Sequence, residues 1–70
     1  MDTKDNSWQT PELLAWGRDE ARRRDEDNLW LATSGERFAA RRGRERAAGI
    51  ARWQARALVR LARAELERAA

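Results

Sequence analysis

The sequence predicts an all-α fold, an antiparallel two-helix hairpin with helices over about 11–32 and 34–69. Three observations lead there. Ile50, Ala51, Ala55, Ala57, Leu58, Leu61, Ala62, Ala64, Leu66 and Ala69 fall within one broad arc of the helical repeat, with Arg52, Arg56, Arg60 and Arg63 opposite. Helix-start chemistry stands at Thr10-Pro11-Glu12 and again at Thr33-Ser34-Gly35-Glu36. Folding the chain back at the second of these makes neighbours of residues whose numbers sum to about 69, and the partners match in size: Trp16 with Trp53, Ala21 with Ala48, Leu31 with Phe38.

Residues 1–10 are polar apart from Trp8 and form a flexible N-terminal segment ahead of a helical domain over 11–70. Helix one opens with Thr10 as cap, Pro11 at the first helical position and Glu12 against the positive end of the dipole. Along it Leu14, Gly17, Ala21, Arg24, Asn28 and Leu31 alternate by three and four, the spacing of a seam between helices, and Gly17 and Ala21 permit a close approach. Asp19 with Arg23 and Glu20 with Arg24 stand at the favourable spacing and orientation for ion pairs. At the break, Thr33 and Glu36 match a capping box and Gly35 offers an unusual backbone angle. Helix two then runs through Gly43, on the inner arc, and Gly49, each weakening it by about 1 kcal/mol relative to alanine. The hairpin core is Leu14, Trp16, Ala21, Leu31, Phe38, Ile50 and Trp53.

Helix two is the longer, so its far end has no partner within the hairpin while the apolar face continues. Leu58, Leu61, Ala62 and Leu66 therefore form a dimer interface, giving a four-helix or crossed-hairpin assembly. Docking of the N-terminal segment through Trp8 is the alternative cover. Length argues the same way: at 70 residues a chain buries little apolar surface, and with no cysteine for disulfides and no histidine for a metal, oligomerisation is the remedy left.

The formal net charge of +3 is unevenly spread: residues 1–35 hold eight acids and five bases, residues 36–70 four acids and ten bases. Fourteen of the fifteen bases are arginine. Catalytic residues are expected to be none, because histidine, cysteine and tyrosine are missing and Asp19, Glu20, Asp25, Glu26 and Asp27 read as a solvated face interleaved with arginine. No metal and no cofactor are expected, no apolar run is long enough to span a membrane, and a cytoplasmic protein follows. Arg52, Arg56, Arg60 and Arg63 suit an acidic protein surface, a phosphate backbone, or simply the solvated back of the helix in an arginine-rich chain; the acidic first half, folded alongside, ranks nucleic acid below an acidic protein surface. Tryptophan and arginine are enriched in interface hot spots, and Trp8 and Trp30, less surely inside than Trp16 and Trp53, join the stripe as candidate partner-binding residues.

TPELLAWGRDEARRR as helix one and IARWQARALVRLARAELERAA as helix two, in a chain of this length, resemble the small accessory proteins of Mu-like phages. Among these are anti-activators that bind a host quorum-sensing transcription factor and, in some cases, a type IV pilus ATPase. The resemblance lies in the overall plan, and no residue is matched through it to a binding role. It implies a dimeric helical protein that acts by occupying the surface of a larger host protein.

Overall fold

The structure, a computed structural model, describes residues 6–69. It is all-helical among those residues, with α1 over Pro11–Trp30, α2 over Ser34–Ala48 and α3 over Arg52–Ala69. Of the N-terminal segment 1–10, residues 1–5 lie outside the described residues; Asn6 to Gln9 make a turn closed by the Gln9 N–H donating to the Asn6 carbonyl at 2.9 Å. Ala70, counted in the helical domain 11–70, also lies outside them.

Each helix begins with identifiable local chemistry. Thr10 Oγ1 accepts from the Leu13 N–H at 3.2 Å, with Pro11 in the first turn where no N–H is needed. The capping box at the second break is complete: Thr33 Oγ1 accepts from the Glu36 N–H at 3.1 Å, and Glu36 Oε1 accepts from the N–H groups of Thr33 at 3.0 Å and Ala32 at 2.9 Å. Arg37 closes the same turn by donating to the Leu31 carbonyl at 2.7 Å. The turn is thus bonded by side chains, and Gly35, inside α2 with no positive φ, plays no part in its shape. At α3, Gln54 Oε1 reaches back to the Ala51 N–H at 2.8 Å, one arm of a capping box whose other arm alanine cannot supply.

The single helix expected over 34–69 is two helices. Gly49 adopts the left-handed conformation, φ 72° and ψ 30°. Its N–H donates to the Arg46 carbonyl at 3.0 Å and that of Ile50 to the Glu45 carbonyl at 3.1 Å. That pair of reversed bonds is a Schellman motif, which satisfies the last carbonyls of α2 and turns the chain away. The two-helix hairpin is accordingly replaced by three helices. α1 and α2 meet through Arg44 with Glu20 and Asp27 and through Arg24 with Glu45.

α3 lies chiefly on α1. Gly17 lies against Leu58, Arg18 faces Glu65 and Asp25 faces Arg63 across the two helices, and Trp8 ahead of α1 meets Trp53 at the start of α3. The apolar core is small: Ala21 from α1 with Ala55, Leu58, Val59 and Ala62 from α3. At Gly17 the backbone of α1 comes close to that of α3. A Cβ there would stand 2.8 Å from the Leu58 carbonyl oxygen and 2.9 Å from Leu58 Cβ.

This packing corrects several placements. Leu58 and Ala62 are buried within the chain against α1 and are not available to a second copy, whereas Leu61 and Leu66 are exposed. Of the expected core, Ala21 is buried, Leu14, Trp16, Leu31 and Ile50 are half-buried, and Phe38 and Trp53 are exposed. Trp53 meets Trp8 edge-on, with centroids 5.3 Å apart, in place of Trp16. Gly43 faces open space, with no atom within 4 Å of a built Cβ.

The glycines yield a graded prediction in urea or thermal melts. Gly17→Ala is expected to destabilise by about 1–3 kcal/mol, because the Leu58 backbone cannot give way as a side-chain tip would. Gly49→Ala is expected to cost about 1 kcal/mol through its positive φ, and Gly43→Ala to stabilise by about 0.5–1 kcal/mol. A second prediction concerns acid. Hydrogen bonds from the backbone N–H of Thr33, then of Ala32, hold the Glu36 carboxyl below its ordinary value of 4.5. Folded Glu36 therefore binds fewer protons than unfolded Glu36, so its contribution is complete above that value and is lost as pH falls below it. Melting temperature is expected to drop with acidification through this range, and Glu36→Gln to make the drop shallower.

Candidate functional site

The inner face of α1 and α2 is ionic. Glu20, 1% exposed, accepts from Arg24 Nε one turn along α1 at 2.9 Å. From α2, Arg44 grips the same carboxylate with both arms, Nε to Oε1 at 2.6 Å and Nη2 to Oε2 at 3.0 Å. That Nη2 also donates to Asp27 Oδ2 at 2.8 Å. Glu45, 2% exposed and the buried residue of α2, accepts from Arg42 Nη1 at 2.9 Å and lies 3.5 Å from Arg24 Nη2. The six side chains form one chain of contacts, Asp27–Arg44–Glu20–Arg24–Glu45–Arg42, with three positive and three negative charges. Glu20, Arg24 and Asp27 reach it together because offsets of four and three keep them on one face of α1.

The electrostatics follow from this arrangement. The hydrogen bond to Glu20 is the largest cause raising the Arg44 guanidinium well above its ordinary value; Asp27 adds to it and burial opposes it. Arg44 is cationic at any working pH. Burial of ion pairs is favourable only when the geometry is good and the remaining lone pairs are engaged, and the two-armed arginine grip meets that condition.

Outside this lattice the pairs are solvated. Asp19 accepts from Arg23 at 2.7 Å and also from Arg22, which reaches Glu26 at 3.3 Å; the bond from Arg23 is the main reason the Asp19 carboxyl lies below its ordinary value. Across α1 and α3, Arg63 donates to Asp25 at 3.2 Å and Arg18 stands 3.7 Å from Glu65. Exposed pairs of this kind are worth about 0–1 kcal/mol each.

The arginine stripe divides. Arg63 is engaged by Asp25, and Arg52 lies over the Phe38 ring, 4.9 Å from its centroid. Arg56 and Arg60 are exposed and have no carboxylate partner among the described residues. A hollow lined by Arg24, Phe38, Arg41, Arg42, Glu45, Arg52 and Arg56 brings residues of all three helices together. A second, lined by Arg24, Arg56, Val59, Arg60, Arg63, Ala64 and Glu67, shares Arg24 and Arg56 with the first and continues it along α3. Arg41 was not singled out by sequence, yet its Nε is shielded from solvent with no hydrogen-bond partner among the described residues. Trp30 and Leu29, 82% and 79% exposed, stand together at the end of α1, and Trp8 is half-buried against Trp53.

Glu20 and Asp27 correct the reading of the α1 acids as a solvated face, for both are inside the lattice. A signal was present: Arg24 occupies a seam position, and a guanidinium in a seam requires a buried acid beside it. Among the described residues no helix is long and apolar enough to cross a membrane, and no group of three or more acidic, histidine or cysteine side chains could hold a metal ion.

No protein-family model matches the chain, and searches of curated proteins and of solved structures give no match.

The lattice predicts a sharp contrast between neighbours. Glu20→Gln leaves two guanidiniums facing a neutral amide in a buried place and is expected to destabilise by about 3–5 kcal/mol, enough to unfold much of so small a domain. Asp19→Asn, one residue away on the solvated side, is expected to leave the urea midpoint nearly unchanged. Circular dichroism in a urea titration reads both.

Proposed function

We propose that this chain is a small non-enzymatic interaction protein that docks on a larger host protein in the cytoplasm and blocks it, as an inhibitor or anti-activator does. The observation carrying this reading is the pairing of large exposed aromatic surface with uncompensated arginine. Trp30 and Leu29 project from the end of α1, and Arg56 and Arg60 stand on α3 without carboxylate partners among the described residues. Buried aromatic anchors with a charged surround are the usual make-up of an energetic interface centre, and the charge speeds encounter with an acidic partner. The inner carboxylates, each bonded to arginine, have little freedom to act as acid or base, which favours binding over catalysis. The choice of a regulatory protein such as a transcription factor as the target rests on the resemblance to Mu-like phage anti-activators. Pairing with a second copy remains part of the proposal, through Leu61 and Leu66, with Leu58 and Ala62 removed from that face.

Arg52, Arg56 and Arg60 along one side of α3 favour a second reading, a small nucleic-acid-binding regulator. Capture from host lysate separates the two. A discrete protein band that survives nuclease and moderate salt is expected. Trp30→Ala is expected to weaken capture by about thirtyfold or more, the size of a hot-spot truncation, and Arg56→Glu with Arg60→Glu to slow association. Recovery of nucleic acid that disappears with nuclease or salt establishes the second reading instead.

A further inference from the structure

The hollow where the three helices meet is a cluster of like charges that the chain itself leaves unfinished. Arg24 and Arg42, on its wall, are already committed to Glu45. Arg41, Arg52 and Arg56, on the same wall, have no carboxylate among the described residues. Arg41 Nε is both shielded from water and without a hydrogen-bond partner, which is unfavourable for a buried donor. Arg52 is steadied over Phe38. Guanidiniums held this way are ready to grip a planar oxyanion with parallel N–H bonds, at little further ordering cost.

The arginines of the inner lattice are satisfied by carboxylates: Arg24 and Arg44 by Glu20, Arg42 by Glu45. The hollow is the open edge of that lattice. A carboxylate arriving from outside would occupy it as one more member. A phosphodiester strand fits less well, because Glu67 lines the continuation of the groove, on the course its next phosphates would take. The half-exposed ring of Phe38 offers apolar contact to a residue flanking the incoming acid.

We infer that the hollow formed by Phe38, Arg41, Arg52 and Arg56 is the receptor for an Asp or Glu side chain on an acidic segment of a partner protein. This rests on the docking reading above and gives the partner's contact its chemistry. The site predicts a residue that weakens the fold while serving the ligand. Arg41→Met keeps the aliphatic stem and removes both the orphaned donor and one of three repelling charges.

Fluorescence anisotropy with a labelled Glu-rich peptide, its Gln counterpart and a single-stranded oligonucleotide of equal charge tests this at about physiological ionic strength. The Glu peptide is expected to bind and the Gln peptide not to. Arg41→Met and, separately, Arg56→Gln are expected to weaken binding about tenfold or more, the loss of a charge-assisted hydrogen bond. Arg68→Gln, which removes the same charge at the far end of α3, is expected to change it less than about twofold. The melting temperature of Arg41→Met is expected to equal or exceed that of the parent; Arg56→Gln, on an exposed side chain, carries the test if Arg41→Met does not fold. Equal binding of the Gln peptide, equal loss from Arg68→Gln, or tighter binding of the oligonucleotide through the same arginines overturns the inference. If the peptide does not bind but a host protein is still captured through Trp30, the carboxylate site falls and the docking reading stands. If the peptide binds through Arg41 and no host protein is captured, the site stands and the docking reading falls.

Discussion

The rest of the structure depends on the Glu20 carboxylate being met from both sides, by Arg24 of its own helix and by the two arms of Arg44 from α2. A chain of 70 residues with five buried apolar side chains among the described residues, three of them alanine, has little hydrophobic driving force. α1 and α3 use nearly all of it. What holds α2 against α1 is the six-membered lattice, and its energetics differ from those of a core. Buried ion pairs contribute modestly when complete and penalise heavily when broken. The lattice therefore fixes how α2 sits more than it adds to total stability. Slide α2 by one residue and Arg44 loses Glu20 and Asp27 while Glu45 loses Arg24.

Much of the local structure was legible in the sequence, because caps and i,i+4 pairs depend on neighbours in the chain. Thr10, Thr33 with Glu36, Asp19 with Arg23 and Glu20 with Arg24 all do what their spacing requires. The turn at 31–33 follows from the same logic. Gly49 did not yield to it. An apolar arc runs unbroken from Ile50 onward, so periodicity alone carries the helix through, and glycine reads as a local weakness. Whether it weakens or ends a helix depends on whether the chain adopts a positive φ there, which is a tertiary matter: α3 gains Gly17 and Ala21 as a packing surface only if the chain turns.

Asp19 and Glu20 show why the candidate site was harder to read than the fold. Both are acids in α1 and both have an arginine four residues on. One is solvated and the other is 1% exposed. They differ by about 100° around the helix, and only the position of α2 decides which angle faces inward. Trp16 and Trp53 were paired by register arithmetic for a continuous second helix; once α3 turns at Gly49, Trp53 is carried to Trp8. Arg41 had no sequence signal of its own, being one arginine among fourteen.

The same turn gives the arginines their meaning. In a continuous helix Arg41, Arg52 and Arg56 would lie along one side of a rod, with Arg41 and Arg52 about 16 Å apart at 1.5 Å per residue. A stripe of that kind presents separated charges to solvent, each fully hydrated and worth little. The left-handed residue at Gly49 folds the rod back, and Arg41, Arg52 and Arg56 come to line one hollow with the lattice behind them. Convergence raises the local potential and holds back water, so each guanidinium interacts more strongly with an anion there than on a straight helix. The lattice neutralises the arginines that would otherwise crowd the interior, and leaves Arg41, Arg52 and Arg56 uncompensated where the three helices open outward. A single glycine in the second half of the chain thus converts an arginine-rich composition, featureless as a linear pattern, into a converging cluster of positive charge.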